Sequence, residues 1–232
     1  MAASNVESKT LPTASTIMIG AAIGVAALFA ARAIVRARRR LELRGRKVVI
    51  IGGSRGLGLA LAREFAERRA RLVLCARDKQ ELEAAAADLA ARGGNAAIFV
   101  CDGKDRDQVA ATIAAIENDG PIDVLVNCAG TIIVGPLESM TLEDFRHTVD
   151  VNFWSAMHAT FAALPGMRAR RQGRIVNIGS VGGRLPAPHL AAYCASKYAL
   201  VGMSEALGVE LRNDGIFVTT VNPGLMRTGS PR

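Results

Sequence analysis

The stretch "KVVIIGGSRGLGLA", residues 47–60, decides the fold. Four apolar residues, Val48 to Ile51, run into a pair of glycines. The run is short and ends at turn residues, so it reads as a buried strand. Gly52, Gly56 and Gly58 then lead into "LGLALAREFAERRA" (57–70), whose apolar residues recur at helical spacing. A glycine motif means little alone and much more between a strand and a helix. Glycine allows the tight turn and the close approach of backbone to a phosphate. The free N–H groups and positive dipole end of the helix then face a pyrophosphate.

Outward from this stretch the same alternation continues. Short apolar runs at 71–76, 96–102, 122–127, 173–179 and 216–222 read as strands. Between them, 78–92, 105–117, a long stretch at 141–171 and 191–212 read as helices. Strands that are nearly all apolar and alternate with helices imply a parallel sheet covered on both faces. The expected fold class is α/β, a doubly wound Rossmann-type sheet in a single domain over 47–232.

One further pair stands out before any family is considered. "AAYCASKYAL" (191–200) holds both tyrosines of the chain around Lys197. Residues four apart on a helix share a face, so Tyr193 pairs with Lys197. Tyr198 has Gly202 at that spacing and is expected to pack the helix against its neighbours. An ammonium held beside a phenol favours the phenolate, which suits a general acid–base near neutral pH.

Several motifs, in order from about Arg46 to Arg232, resemble the short-chain dehydrogenase/reductase (SDR) family. The glycine turn has the spacing G-x-x-x-G-x-G, with Ile51 where the family usually has Thr. "NCAG", Asn127 to Gly130, resembles the family's N-N-A-G with Cys128 in place of the second Asn. Ser180 resembles the serine that holds the substrate oxygen, and Asn152 in "VDVNFWS" the asparagine of a proton relay. "NPGLMRT", 222–228, resembles the segment that contacts nicotinamide.

The resemblance implies hydride transfer between a nicotinamide cofactor and a carbonyl or alcohol. The expected catalytic residues are Asn152, Ser180, Tyr193 and Lys197. The expected cofactor-binding residues are Gly52, Ser54, Arg55, Gly56, Leu57, Gly58, Arg77, Asp102, Asn127, Ala129, Gly130, Tyr193, Lys197, Pro223, Gly224 and Thr228. An acid at the end of the second strand would hold both ribose hydroxyls of NAD. Ala76 stands there, followed by Arg77, and Arg55 lies in the glycine turn. Two guanidiniums can hold a 2′-phosphate, so the expected cofactor is NADP(H). Asp78, one residue later, reads as a helix cap. Asp102 reads equally as a turn residue.

The formal charge of +8 is concentrated. Arg32 to Lys47 contains eight basic residues and one acid, and Glu7 and Lys9 cancel before it, which leaves the 185 residues after Lys47 close to neutral. A nucleic-acid binder carries its basic face on the folded domain, so no nucleic-acid partner is expected. Thr10 to Ala31 carries no charge. That length approaches the ~20 residues of a spanning helix. The expectation is a tail (1–13), a transmembrane anchor (14–35), a basic linker (36–46) and the catalytic domain (47–232). The basic cluster after the apolar run would keep that domain on the cytoplasmic side of a single-pass membrane protein. A cleaved signal peptide would carry its charges before the run, and an organellar presequence would be less apolar. Gly20 and Gly24 form a GxxxG match that chance explains in so glycine-rich a segment.

Cys75, Cys101, Cys128 and Cys194 form no CxxC pair and have no histidine at metal spacing, so reduced thiols and no metal are expected. His147, His158 and His189 read as non-catalytic. The family pattern implies a homodimer or homotetramer, and a membrane location a lipophilic ketone or alcohol. The chain stops at Arg232, before the substrate-covering segment and seventh strand of the family. Two readings therefore stand: an NADP(H)-dependent reductase, or a nucleotide-binding scaffold without turnover.

Overall fold

In the computed structural model, which describes residues 24, 25, 27–29 and 41–226, the run read first is a strand, β1 (Lys47–Ile51), buried along its whole length. Five more follow: β2 (Arg71–Ala76), β3 (Ala96–Val100), β4 (Val124–Asn127), β5 (Gly173–Ile178) and β6 (Ile216–Val221). All pairings are parallel, in the order β3-β2-β1-β4-β5-β6. The register is direct: Ile51 lies opposite Cys75 on one side and Asn127 on the other.

The intervening helices are α1 (Gly56–Glu67), α2 (Lys79–Ala91), α3 (Arg106–Asn118), α4 (Leu142–Val149), α5 (Ser155–Arg170) and α6 (Ala191–Glu210). Both faces of β1 and β2 are buried, which is why their sequences show no polar alternation. On one face, Val49, Ile51, Val73 and Cys75 join Val109, Ile113 and Ile116 of α3 and Ala159, Ala163 and Met167 of α5 in one cluster. Alanines at helical spacing let α5 lie close to the sheet.

The caps of the helices differ. Asp78 accepts from the Glu81 N–H at the start of α2, as the sequence suggests, and Asp105 accepts from two N–H groups at α3. Thr141 and Asp144 form a reciprocal capping box at α4. No side chain caps α1, and its first turn holds no acid, so its leading N–H groups are left for another acceptor.

The long helical stretch of the sequence is real but not uniform. Asp150–Trp154, between α4 and α5, is a π-helical turn. Such turns add a residue to the helix and re-aim the side chains they carry. This one carries Asn152.

The membrane location is overturned. Among the described residues no helix is long and apolar enough to cross a membrane. The expectation rested on uncharged length, a measure that overstates alanine and glycine, which bring little apolar surface per residue. Most of 14–35 lies outside the described residues.

Candidate active site at the carboxyl edge of the sheet

Strand order reverses between β1 and β4, since β2 and β3 lie on one side of β1 and β4 to β6 on the other. The crevice beyond the strand ends at such a switch is where ligands bind in open parallel sheets. Gly52 sits at its mouth with φ +83°, and its N–H donates to Cys75 O at 2.7 Å. A Cβ there would lie 2.6 Å from the Ala129 nitrogen. The turn after β1 thus rests directly on the "NCAG" segment after β4. A Cβ on Gly58 would run into the Gly52 carbonyl, so α1 is also closed down on the turn. Gly56 has φ +57°, and Leu57, half-buried, follows it in the first turn of α1.

The charged part of the turn faces outward. Ser54 Oγ donates to Glu81 Oε2 at 2.9 Å, and Arg55 Nε lies 3.6 Å from Glu81 Oε1. Arg77 is exposed directly after β2, and no hydrogen bond or ion pair engages it among the described residues. Asp102, past β3, accepts from the Lys104 N–H at 3.0 Å, which is a turn role. Asn127 ends β4 and is buried. Its Nδ2 donates to Asn177 Oδ1 at 2.7 Å and Thr160 Oγ1 at 3.1 Å, joining β4 to β5 and α5.

The second cluster lies beyond β4 and β5. Ser180 follows β5, and its Oγ accepts from the Gly182 N–H at 3.0 Å. Tyr193 and Lys197 stand on α6, with Lys197 Nζ 6.0 Å from the Tyr193 ring centroid. Lys197 is 5% exposed and donates to Ile178 O at 2.9 Å. No carboxylate pairs with it among the described residues. Burial pushes its ammonium down to about 8, with the nearby Cys128 opposing the shift. Burial in turn pushes the Cys128 thiol up to about 11, with Lys197 opposing.

Two glycines hold this cluster tight. A Cβ on Gly182 would lie 3.1 Å from Tyr193 Cε1 and 3.5 Å from Ser180 Oγ. A Cβ on Gly130 would lie 3.2 Å from Asn152 Oδ1 and 3.6 Å from Lys197 Nζ. Asn152 is fully enclosed. Its Oδ1 accepts from Thr131 N at 2.7 Å, and its Nδ2 donates to Thr131 O and to Ser196 Oγ, each at 2.9 Å. Ser196 Oγ donates onward to Tyr193 O at 2.7 Å. The segment after β6 closes one side, where Pro223 O accepts from Val181 N at 3.0 Å; Gly224 follows it, exposed. Thr228 lies outside the described residues.

Asn152, Ser180 and the Tyr193–Lys197 pair, which come from three separate parts of the sequence, therefore surround one small region. Sequence reasoning missed Ser196, Gly182 and Glu81. Ser196 was readable as a polar residue three positions after Tyr193 on a shared helical face. The other two depend on tertiary approach. Tyr198 is corrected: it is 44% exposed and does not pack the helix. One residue past Lys197 turns the helix by about 100°, away from the buried face. His158 is held by the Gly103 carbonyl and stacks on Trp154, and the His189 carbonyl accepts from Gly135 N. All four cysteines are free thiols, and no metal-binding cluster occurs among the described residues.

Residues 46–231 match the model of the family described as short chain dehydrogenase. An uncharacterized oxidoreductase of Mycobacterium tuberculosis is 38% identical over 192 residues, covering 80% of this chain and 56% of the relative. This chain thus spans a little over half the length of that relative. Among solved structures, actinorhodin polyketide ketoreductase with NADPH is 35% identical with a TM-score of 0.77, over 79% of this chain and 72% of that one. NAD+-bound xylitol dehydrogenase is 30% identical with a TM-score of 0.78, over 81% and 73%.

Proposed function

Because the chain belongs to the short-chain dehydrogenase family, we propose that it is an oxidoreductase that interconverts a carbonyl and an alcohol with NADP(H). The observation that carries this reading is the environment of Lys197. A buried ammonium with one carbonyl partner and no carboxylate is costly. Its spare donors point to a further partner, and it lies beside Tyr193, Asn152 and the turn of Ser180.

The residues present fit a dinucleotide. Gly52 leaves no room for a side chain, and α1 presents uncapped N–H groups at the switch point. Gly52, Ser54, Arg55, Gly56, Leu57 and Gly58 would hold the phosphates. Arg77 and Arg55 would meet a 2′-phosphate, and Asp102, Asn127, Ala129 and Gly130 would line the adenosine side. Pro223, Gly224 and Thr228 would border the nicotinamide. When bound, the cofactor supplies or accepts the hydride.

The chain's own residues do the rest. Ser180 Oγ, fixed by the Gly182 N–H, orients the substrate oxygen. Tyr193 donates its hydroxyl proton to that oxygen in reduction and takes it back in oxidation. Lys197 stabilises the phenolate and would hold the nicotinamide ribose when the cofactor is bound. Asn152 ties the Tyr193 helix to the segment after β4 through Ser196 and Thr131, and maintains the relay that returns the proton. The substrate is a small-molecule carbonyl or alcohol, and a homodimer or homotetramer is the proposed assembly. The domain boundary is placed at residue 47. Oxidation of NADPH against a ketone panel tests the reading; binding of NADPH without turnover on any ketone would instead favour a scaffold.

A further inference from the structure

The charged face of the glycine turn already holds an anion. Ser54 Oγ donates to one oxygen of Glu81 at 2.9 Å, and Arg55 Nε lies 3.6 Å from the other. These are the two side chains of the turn that can offer a donor to an incoming phosphate. Glu81 is fixed in place from behind: its own N–H is capped by Asp78, so the start of α2 cannot swing freely. Arg77, the second guanidinium at this corner, has no partner among the described residues.

We infer that Glu81 is a specificity-determining residue that moderates the preference of this chain for a 2′-phosphorylated nucleotide. The inference rests on the proposed nucleotide site and names how its selectivity is set. A 2′-phosphate taken up by the Arg55 guanidinium would sit beside the Glu81 carboxylate that Arg55 Nε faces. The two like charges repel, whereas a ribose with free hydroxyls meets no such cost. The arginines favour the phosphate; Glu81 opposes them. The pair is partly exposed, so the opposition is screened by salt.

Glu81→Gln keeps an acceptor for Ser54 and removes the charge. Direct binding to wild type and variant is measured with NADPH and NADH, and with adenosine 2′,5′-bisphosphate and ADP as fragments. In low salt, E81Q is expected to bind NADPH and the bisphosphate about tenfold tighter, the equivalent of about 1.4 kcal/mol. NADH and ADP are expected to change by less than about threefold, and the NADPH gain to shrink as salt is raised. Glu81→Ala is expected to show the same direction. Equal changes for phosphorylated and unphosphorylated ligands, or none, would overturn the inference and leave the functional reading standing. Absence of binding of any of these ligands by the wild-type protein would remove both.

Discussion

Among the described residues two lysines are buried, at opposite edges of the sheet. Lys47 opens β1 at the amino edge and is 3% exposed; Lys197 lies at the carboxyl edge and is 5% exposed. Lys47 donates to Ile116 O at 2.8 Å and Gly120 O at 2.9 Å, and lies 3.4 Å from Asp119 Oδ2. It closes the carboxyl end of α3, where a cation also meets the negative end of the helix dipole. Lys197 has one carbonyl. The same side chain, equally buried, is a completed structural clasp in one place and an uncompensated charge in the other. Proteins tolerate such a charge where chemistry requires it.

The largest expected effect separates the two directly. Lys197→Met is expected to lower kcat/KM for ketone reduction about 10³-fold, within the span of acid–base and electrostatic contributions. Lys47→Met is expected to leave kcat/KM within about threefold, since it stands at the far edge of the sheet from the crevice. Steady-state rates of the two variants make the check. Comparable losses in both would erase the distinction.

The second effect is on stability against pH. The folded protein releases the Lys197 proton near pH 8, whereas the unfolded chain holds it to about 10.5. Between these values the unfolded state binds more protons, so stability rises with pH. Below pH 8 the penalty is fully present. The stability of wild type relative to Lys197→Met is therefore expected to rise by about 3 kcal/mol from pH 8 to 10.5. Urea unfolding of both proteins reads this as a difference, in which the thiols common to both largely cancel. The smallest effect concerns Lys47→Met, which strands two carbonyls and should cost about 1–3 kcal/mol in the same assay at pH 7.

The sequence exposed these two regions unequally. The central strands β1, β2 and β4 were legible because both their faces are covered, which demands continuous apolar runs. The glycine turn was legible because Gly52 and Gly58 stand where any side chain would strike backbone. That Tyr193 and Lys197 lie side by side was legible from helical spacing. Asn152 was recognisable as a motif, but its aim was not, because the π turn is fixed by contacts to Thr131 and Ser196 rather than by local propensity. Glu81 was invisible as a site residue because it reaches the turn from another helix. Tyr198 was misplaced because its neighbour Lys197 marks the buried face and it does not.

The most direct measurement is the turnover of Tyr193→Phe. The phenyl ring preserves the packing against Gly182 and removes only the hydroxyl proposed to move the proton. NADPH is expected to bind the variant within about threefold of wild type, while ketone-dependent NADPH oxidation falls about 10³-fold. A variant that binds NADPH and still turns over within about tenfold of wild type would contradict the assignment of Tyr193 as the acid–base.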